Sequence, residues 1–277
     1  MSGFSPEWLA LREPVDHRSR DANLAQHVRS RFDGRASICV VDVGCGTGSN
    51  LRGSFHLLPD EQHWTLVDYD PRLLAAARHA IAAWADNHDA AGDALNVRKA
   101  SKRLHVTFRR ADLTTDLDDA LGPNPDLVTA SAFFDLGSPA FIERFAGAVA
   151  RRKAVFFTVL TYNGIQTWSP PHAADNAMLQ AFCAHQGGDK GFGASSGPAA
   201  AAALRQAFLS AGYDVREGDS PWILGASDAQ LIRDLATGFA GAAAETGQVA
   251  QAAAAAWLAE VRTGAVVGHT DTLAIPR

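Results

Sequence analysis

The chain has 277 residues, 47% of them hydrophobic and 20% charged, which is ordinary for an α/β enzyme able to bury a large core. A formal charge of −5 argues against bulk electrostatic capture of nucleic acid. No run approaches the roughly 18 apolar residues of a membrane span, and Met1–Leu11 has no apolar signal core, so a cytoplasmic protein with no membrane partner is expected. Three cysteines (Cys39, Cys45, Cys183) show no metal-ligand spacing, and no metal site is expected. Arginine far outnumbers lysine and alanine is abundant, a bias of the kind a GC-rich bacterial genome produces.

The first strand, Ser37–Val43, is a near-continuous apolar run of the type buried on both faces of a parallel sheet. It runs into Gly44-Cys45-Gly46-Thr47-Gly48, and Ser49–Leu58 can form a helix. A second strand, Trp64–Val67, closes on Asp68-Tyr69-Asp70-Pro71 and leads to a helix, Arg72–Asp86, with proline in its first turn. Asn87–Arg103 reads as a loose polar connection. Strands at His105–Arg109 and Asp126–Ala130 follow, then a helix at Pro139–Ala150 and a fifth strand at Ala154–Thr161. That alternation implies βαβ units, with all strand C-terminal ends and the ligand along one edge.

After the fifth strand the pattern changes. Tyr162–Pro198, rich in glycine and polar residues, reads as a functional lid or binding loop. The α/β pattern resumes with a helix at Ala199–Ala211, capped by Gly212, and a strand at Tyr213–Glu217. One or two alanine-rich helices are expected within Asp228–Arg262, covering the acceptor pocket or forming a homodimer face. Ala265–Ile275 alternates weakly and suits an antiparallel edge strand.

A strand entering Gly-x-Gly-x-Gly makes a tight turn where backbone amides can approach a ligand at a helix N-terminus. The dinucleotide fingerprint needs its third glycine three residues after the second, and here Gly48 comes only two after Gly46. A hydride-transferring dehydrogenase is thereby disfavoured. Asp68, twenty residues after Gly48, ends the next strand, where a carboxylate can accept from a ribose diol. Helix capping is the plainer role for an acid here, and Asp70 is better placed for it. Asp112 ends the third strand in the same register, where it could accept from an adenine amino group.

Together these features resemble the class I S-adenosylmethionine-dependent methyltransferases. Val40-Val41-Asp42-Val43-Gly44-Cys45-Gly46-Thr47-Gly48 is similar to that family's first motif. Leu66-Val67-Asp68-Tyr69-Asp70-Pro71 is similar to its second, Arg110-Ala111-Asp112-Leu113 to its third, and Asp126-Leu127-Val128-Thr129-Ala130-Ser131 to its fourth. The resemblance covers residues 37–161. It implies a Rossmann-like, seven-stranded, mostly parallel sheet with an antiparallel C-terminal strand, helices on both faces and a helical or loop lid. The whole chain would be one domain: an N-terminal helical cap (1–36), a cofactor core (37–161), a lid (162–198) and a C-terminal part (199–277) with a helical insertion at 228–262.

The resemblance also implies S-adenosyl-L-methionine as cofactor. Gly44, Cys45 and Gly46 would pass along its methionine part, Asp68 would hold the ribose, and Asp112 with Leu113 would frame the adenine. Tyr69 would join this set, Asp42 would support the loop, and Ser131 would lie beside the sulfonium. Ser131-Ala132-Phe133-Phe134 departs from the adenine amino-methylating pattern, and no cysteine sits near for a cytosine-5 enzyme.

The acceptor expected is a small molecule methylated on oxygen or nitrogen by in-line transfer. The alternative is a catalytically silent cofactor-binding regulatory or partner protein. Catalytic candidates are Tyr162, next to the fifth strand, and His185 and Asp189 in the lid, where each can equally be an ordinary surface group. An N-terminal helix is expected to fold over the cofactor with Arg12 or Arg18 near its carboxylate, or simply to pack through Trp8 and Leu11.

Overall fold

The computed structural model describes residues 4–277. Met1–Gly3, part of the segment read above for a signal core, lie outside the described residues. In chain order the elements are α1 (Pro6–Ser19), α2 (Ala22–Phe32), β1 (Ser37–Val43), α3 (Ser49–Ser54), β2 (Glu61–Asp68), α4 (Pro71–Trp84), β3 (Asn87–Ala91), β4 (Ala94–Lys99), β5 (Lys102–Arg110), α5 (Leu117–Leu121), β6 (Leu127–Ser131), α6 (Pro139–Arg152), β7 (Val155–Ser169), α7 (Asp175–Gln186), α8 (Ala200–Ser210), β8 (Tyr213–Asp219), β9 (Trp222–Leu224), α9 (Ala229–Glu245), α10 (Gln251–Ala259) and β10 (Gly264–Pro276).

One sheet runs β3-β4-β5-β2-β1-β6-β7-β10-β8, with β9 paired to β10. Strands β5, β2, β1, β6 and β7 are parallel neighbours, and β10 is antiparallel to β7, β8 and β9. The apolar run of β1 is buried on both sides. Val40 joins the core beneath α2 and α4, whereas Val41 and Val43 join the core beneath α6 and α8. The expected layering, helices on both faces of a mostly parallel sheet, is what the chain adopts. Among the described residues no helix is long and apolar enough to cross a membrane.

Three local expectations are corrected. Asn87–Arg103 is not a loose connection but mainly the antiparallel hairpin β3–β4, turning at Gly92 and extending the sheet beyond β5. Only Ala94, Leu95 and Val97 of the hairpin are buried, so a half-buried edge carried too few apolar residues to read as strand. Tyr162–Pro198 is not one excursion: Tyr162–Ser169 continues β7 against β10, and Asp175–Gln186 is helix. Finally, β10 is no edge strand, because it lies between β7 and β8.

β7 passes the expected stop at Thr161 through a bulge. Thr161 pairs Thr270 and Thr158 pairs Thr272, so Val159 and Leu160 together face Asp271. Leu160 takes a φ of +61°, and its N–H donates to Asp271 Oδ1 (2.8 Å). The same carboxylate, fully buried, accepts from the Asp21 N–H (2.9 Å) and the Ser220 hydroxyl (2.5 Å). Bulges bend a strand and re-aim the side chains beyond them. Here the second cross-strand pair past the bulge, after Thr161 with Thr270, is Tyr162 with His269.

Candidate functional site

The C-terminal ends of the five parallel strands share one edge, and the loop after β1 sits at its centre. Gly44, Gly46 and Gly48 have φ of +62°, +54° and +75°, a region that side chains disfavour. The turn is held tight by Cys45 N–H donating to Val67 O (3.0 Å) and Gly48 N–H donating to Cys45 O (2.8 Å). Cys45 thus serves through its backbone. Its buried thiol is pushed well up by desolvation, the wrong direction for a nucleophile.

Asp68 ends β2 beside this loop. Its Oδ2 accepts from Gly46 N–H and its Oδ1 from Asp70 N–H, both at 2.9 Å. A carboxylate offers roughly four lone-pair sites, so capacity remains for a ligand. Burial pushes the Asp68 carboxyl up, against the pull of those two amides. Beneath the loop, fully buried Asp42 accepts from Asn50 Nδ2 (2.8 Å), which also reaches Thr129 Oγ1 (3.1 Å). Asp42 Oδ2 has no partner among the described residues, and burial, only partly opposed by Asn50 and Arg20, pushes the carboxyl up to about 7.

That shift has a sign for stability. Between the unfolded carboxyl value and about 7 the folded chain holds a proton that the unfolded chain has released. Stability from this group therefore falls as pH rises through that window and is lost above it. Asp42→Asn, which cannot titrate, should unfold at a higher urea concentration than the parent at pH 8, by roughly 2–4 kcal/mol, and nearly with it at pH 4. Parallel pH dependences of the two chains would refute the assignment.

The other cofactor candidates lie along the same edge. Asp112, just past β5, accepts from Thr114 N–H (2.8 Å) and Thr114 Oγ1 (2.6 Å), and buried Leu113 offers its carbonyl to Arg144 (3.0 Å). Tyr69 is 53% exposed under the Arg110 guanidinium, and Ser131 ends β6. Asp42, Gly44, Cys45, Gly46, Asp68, Tyr69, Asp112, Leu113 and Ser131 are thus brought to one sheet edge.

The catalytic candidates are not brought together. His185 lies in the last turn of α7 and its Nε2 meets Glu245 Oε2 of α9 at 3.0 Å. Asp189 Oδ1 accepts from Gly191 N–H (2.7 Å) and Gly193 N–H (3.1 Å), bracketing Phe192. Phe192 packs on Phe133 (5.5 Å between centroids), whose ring lies directly over Gly44. Asp189 therefore shapes a loop that reaches the glycine turn through aromatic rings. Tyr162 alone is sealed in the interior: it is 5% exposed, and the Cys183 thiol neighbours its hydroxyl.

Around Tyr162 the fold assembles groups that the sequence reading passed over. Its ring stands 6.3 Å from that of His269, which lies 5.2 Å from Trp222. Asp135, on the 3-10 turn after β6, carries an Oδ1 that is out of reach of solvent and has no hydrogen-bond partner among the described residues. His269 Nδ1 is likewise buried and unpartnered. The available signal was the polar run His269-Thr270-Asp271-Thr272 inside an otherwise apolar strand.

Helix α1 spans from the glycine loop to this cluster. Leu9 packs against Gly46, and residues 9, 12 and 16 share one helix face. Arg12 lies 5.0 Å over the Trp222 ring and pairs with Asp16 (2.9 Å), which accepts the Trp222 indole N–H (3.0 Å). Glu13 with Arg52 (2.8 Å), and His17 with Ser49 (3.0 Å), tie the helix to α3. The helix lies against the loop through Leu9, and of the two arginines expected near a cofactor carboxylate, Arg12 is engaged by Asp16 and Arg18 by Asp228.

No family model matches the chain, and no curated protein matches it in sequence. Solved structures do. The cyclopropane synthase MmaA2 of Mycobacterium tuberculosis superposes with a TM-score of 0.53 at 12% identity, over 98% of this chain and 94% of that one. The YcgJ protein of Bacillus subtilis gives 0.51 at 12% identity, over 94% and 99%. A phosphoethanolamine N-methyltransferase of Haemonchus contortus, solved with S-adenosylhomocysteine, gives 0.50 at 10% identity, over 100% of this chain and 58% of that one. At such identities the likeness is one of fold. The chain carries the Rossmann-like fold of the class I S-adenosylmethionine-dependent methyltransferases.

Proposed function

We propose that this chain is an S-adenosylmethionine-dependent methyltransferase acting on a small-molecule acceptor. The observation that carries the reading is the hydrogen bond from Gly46 N–H to Asp68 Oδ2, which ties the loop that would pass the methionine part to the carboxylate that would hold the ribose. The residues fit such a ligand: positive-φ glycines turn the backbone tightly at the end of β1, and the Asp68 carboxylate has acceptor capacity beyond its two amide bonds. Asp42 would brace the loop from below, Tyr69, Asp112 and Leu113 would frame the adenine, and Ser131 would stand by the sulfonium. The cofactor, when bound, supplies an activated methyl group. The chain's own residues then have to align the acceptor oxygen or nitrogen in line and keep water out.

Calorimetric titration tests this reading. S-adenosylhomocysteine should bind saturably and NAD should not; the reverse result would favour a dehydrogenase. Asp68→Ala should weaken S-adenosylhomocysteine binding by about 1.5–3 kcal/mol, as for hydrogen bonds to a charged group. Part of that loss would act through the loop, because Gly46 N–H loses its acceptor. Unchanged affinity with native circular dichroism would remove Asp68 from the site.

A further inference from the structure

Helix α1 reaches the glycine loop through α3, and the Arg52 guanidinium is the centre of that contact. Its Nε and Nη2 donate to the two carboxylate oxygens of Glu13 (2.8 and 2.5 Å), and its Nη1 donates to Thr47 O (2.8 Å). Arg52 is buried, so these three bonds stand in for water around the charge. Burial pushes the Glu13 carboxyl up, but the Arg52 guanidinium outweighs it and holds the carboxyl below its ordinary value, so the pair is ionised at neutral pH.

What Arg52 holds is a peptide of the loop itself. The Thr47–Gly48 peptide is flanked by two positive-φ residues, Gly46 (+54°) and Gly48 (+75°). Its carbonyl accepts from Arg52, and its N–H, on Gly48, donates to Cys45 O (2.8 Å). Glycine leaves such a plane free to turn, and bonds at both ends remove that freedom. A guanidinium presents its N–H groups in a fixed planar fork, so a carboxylate that takes two of its nitrogens also sets the direction of the third. Glu13 thereby decides where Arg52 Nη1 points.

A second line runs from the end of the same helix to the underside of the loop. Arg20 Nη1 donates to Ser54 Oγ (2.8 Å), Ser54 Oγ to Asn50 Oδ1 (3.3 Å), and Asn50 Nδ2 to Asp42 Oδ1 (2.8 Å). Gly53 admits the Arg20 side chain, since a Cβ there would lie 2.7 Å from its Cζ.

Resting on the methyltransferase reading above, we propose that Arg52 is a positioning residue of the cofactor loop and that Glu13 acts on that loop only through Arg52. Helix α1 is then part of the binding apparatus. The carboxylate sets the guanidinium, the guanidinium sets the Thr47 peptide, and the peptide sets the turn along which the methionine part would run. Without Glu13 the buried guanidinium lacks its counter-charge, so the arginine turns toward solvent and releases Thr47 O. A pair that only braced the fold would change stability and leave affinity alone.

The experiment measures S-adenosylhomocysteine affinity by calorimetry, and stability by urea unfolding, in the parent, Glu13→Ala, Arg52→Met and double-variant chains. Each single substitution should weaken binding roughly tenfold or more, the weight of one hydrogen bond to a charged group. The double variant should bind no more weakly than Arg52→Met, because non-additive losses mark residues that act through one another. Glu13→Gln keeps an acceptor oxygen for the fork and should recover part of the affinity lost in Glu13→Ala. Arg52→Lys keeps the charge without the fork and should bind about as weakly as Arg52→Met; it takes that variant's place in the cycle should Arg52→Met fail to fold. Parent affinity in Glu13→Ala or Arg52→Lys, with stability lowered, makes the pair a brace and overturns the proposal. Losses that simply add in the double variant overturn it too, since Glu13 would then reach the loop by another route. Both outcomes leave the cofactor reading standing. A parent chain that binds no S-adenosylhomocysteine refutes that reading, and this proposal with it.

Discussion

A Gly46→Val chain is expected to lose measurable S-adenosylhomocysteine binding, at least a hundredfold, while still folding. Two effects act in the same direction. Gly46 has a φ of +54°, and a β-branched residue there is strained whatever space surrounds it. The added side chain would also start 3.1 Å from Leu9 Cδ1, pushing α1 off the loop or the loop off its hydrogen bond to Asp68. A hundredfold corresponds to about 2.7 kcal/mol, within the cost of one strained residue plus one broken charge-assisted hydrogen bond. Calorimetry measures it, and circular dichroism controls for the fold. Cys45→Ser, one residue earlier, should bind like the parent, because Cys45 contributes its N–H to Val67 and no thiol chemistry. Wild-type affinity in Gly46→Val would mean that ligand does not run along this turn.

The largest loss of stability is expected from Asp271→Ala. The carboxylate accepts from the Leu160 N–H and the Ser220 hydroxyl in the interior, and from the half-buried Asp21 N–H. Removing it leaves buried donors unsatisfied at about 1–3 kcal/mol each, so about 4 kcal/mol or more should disappear from the urea unfolding free energy. It also releases the bulge that sets Tyr162 opposite His269. Asp271→Asn should recover part of the stability, since its amide oxygen still accepts. An Asp271→Ala midpoint within experimental error of the parent would show that the bulge is held by strand pairing alone.

The chain order of strands and helices, the turn chemistry of Gly44–Gly48 and the acids at the ends of β2 and β5 could all be read directly. Each depends on local periodicity or on residues within one turn of each other. The hairpin at Asn87–Lys99 could not, because a strand buried on part of one face has little alternation to show. The continuation of β7 past Thr161 was hidden for a different reason. Its polar and glycine residues look like loop until β10, a hundred residues later in the chain, supplies their partners. His185 and Asp189 stood out as polar residues in a glycine-rich stretch, yet one meets Glu245 and the other its own loop amides. Asp135, Tyr162 and His269 come from three segments and share no sequence spacing. Tyr162 and His269 meet only through the bulged antiparallel register of β7 with β10. The sequence by itself determined the layered sheet and the turn at its centre, because local patterns encode both. The tertiary structure decided which buried polar groups face one another, because that depends on strand pairing between distant segments.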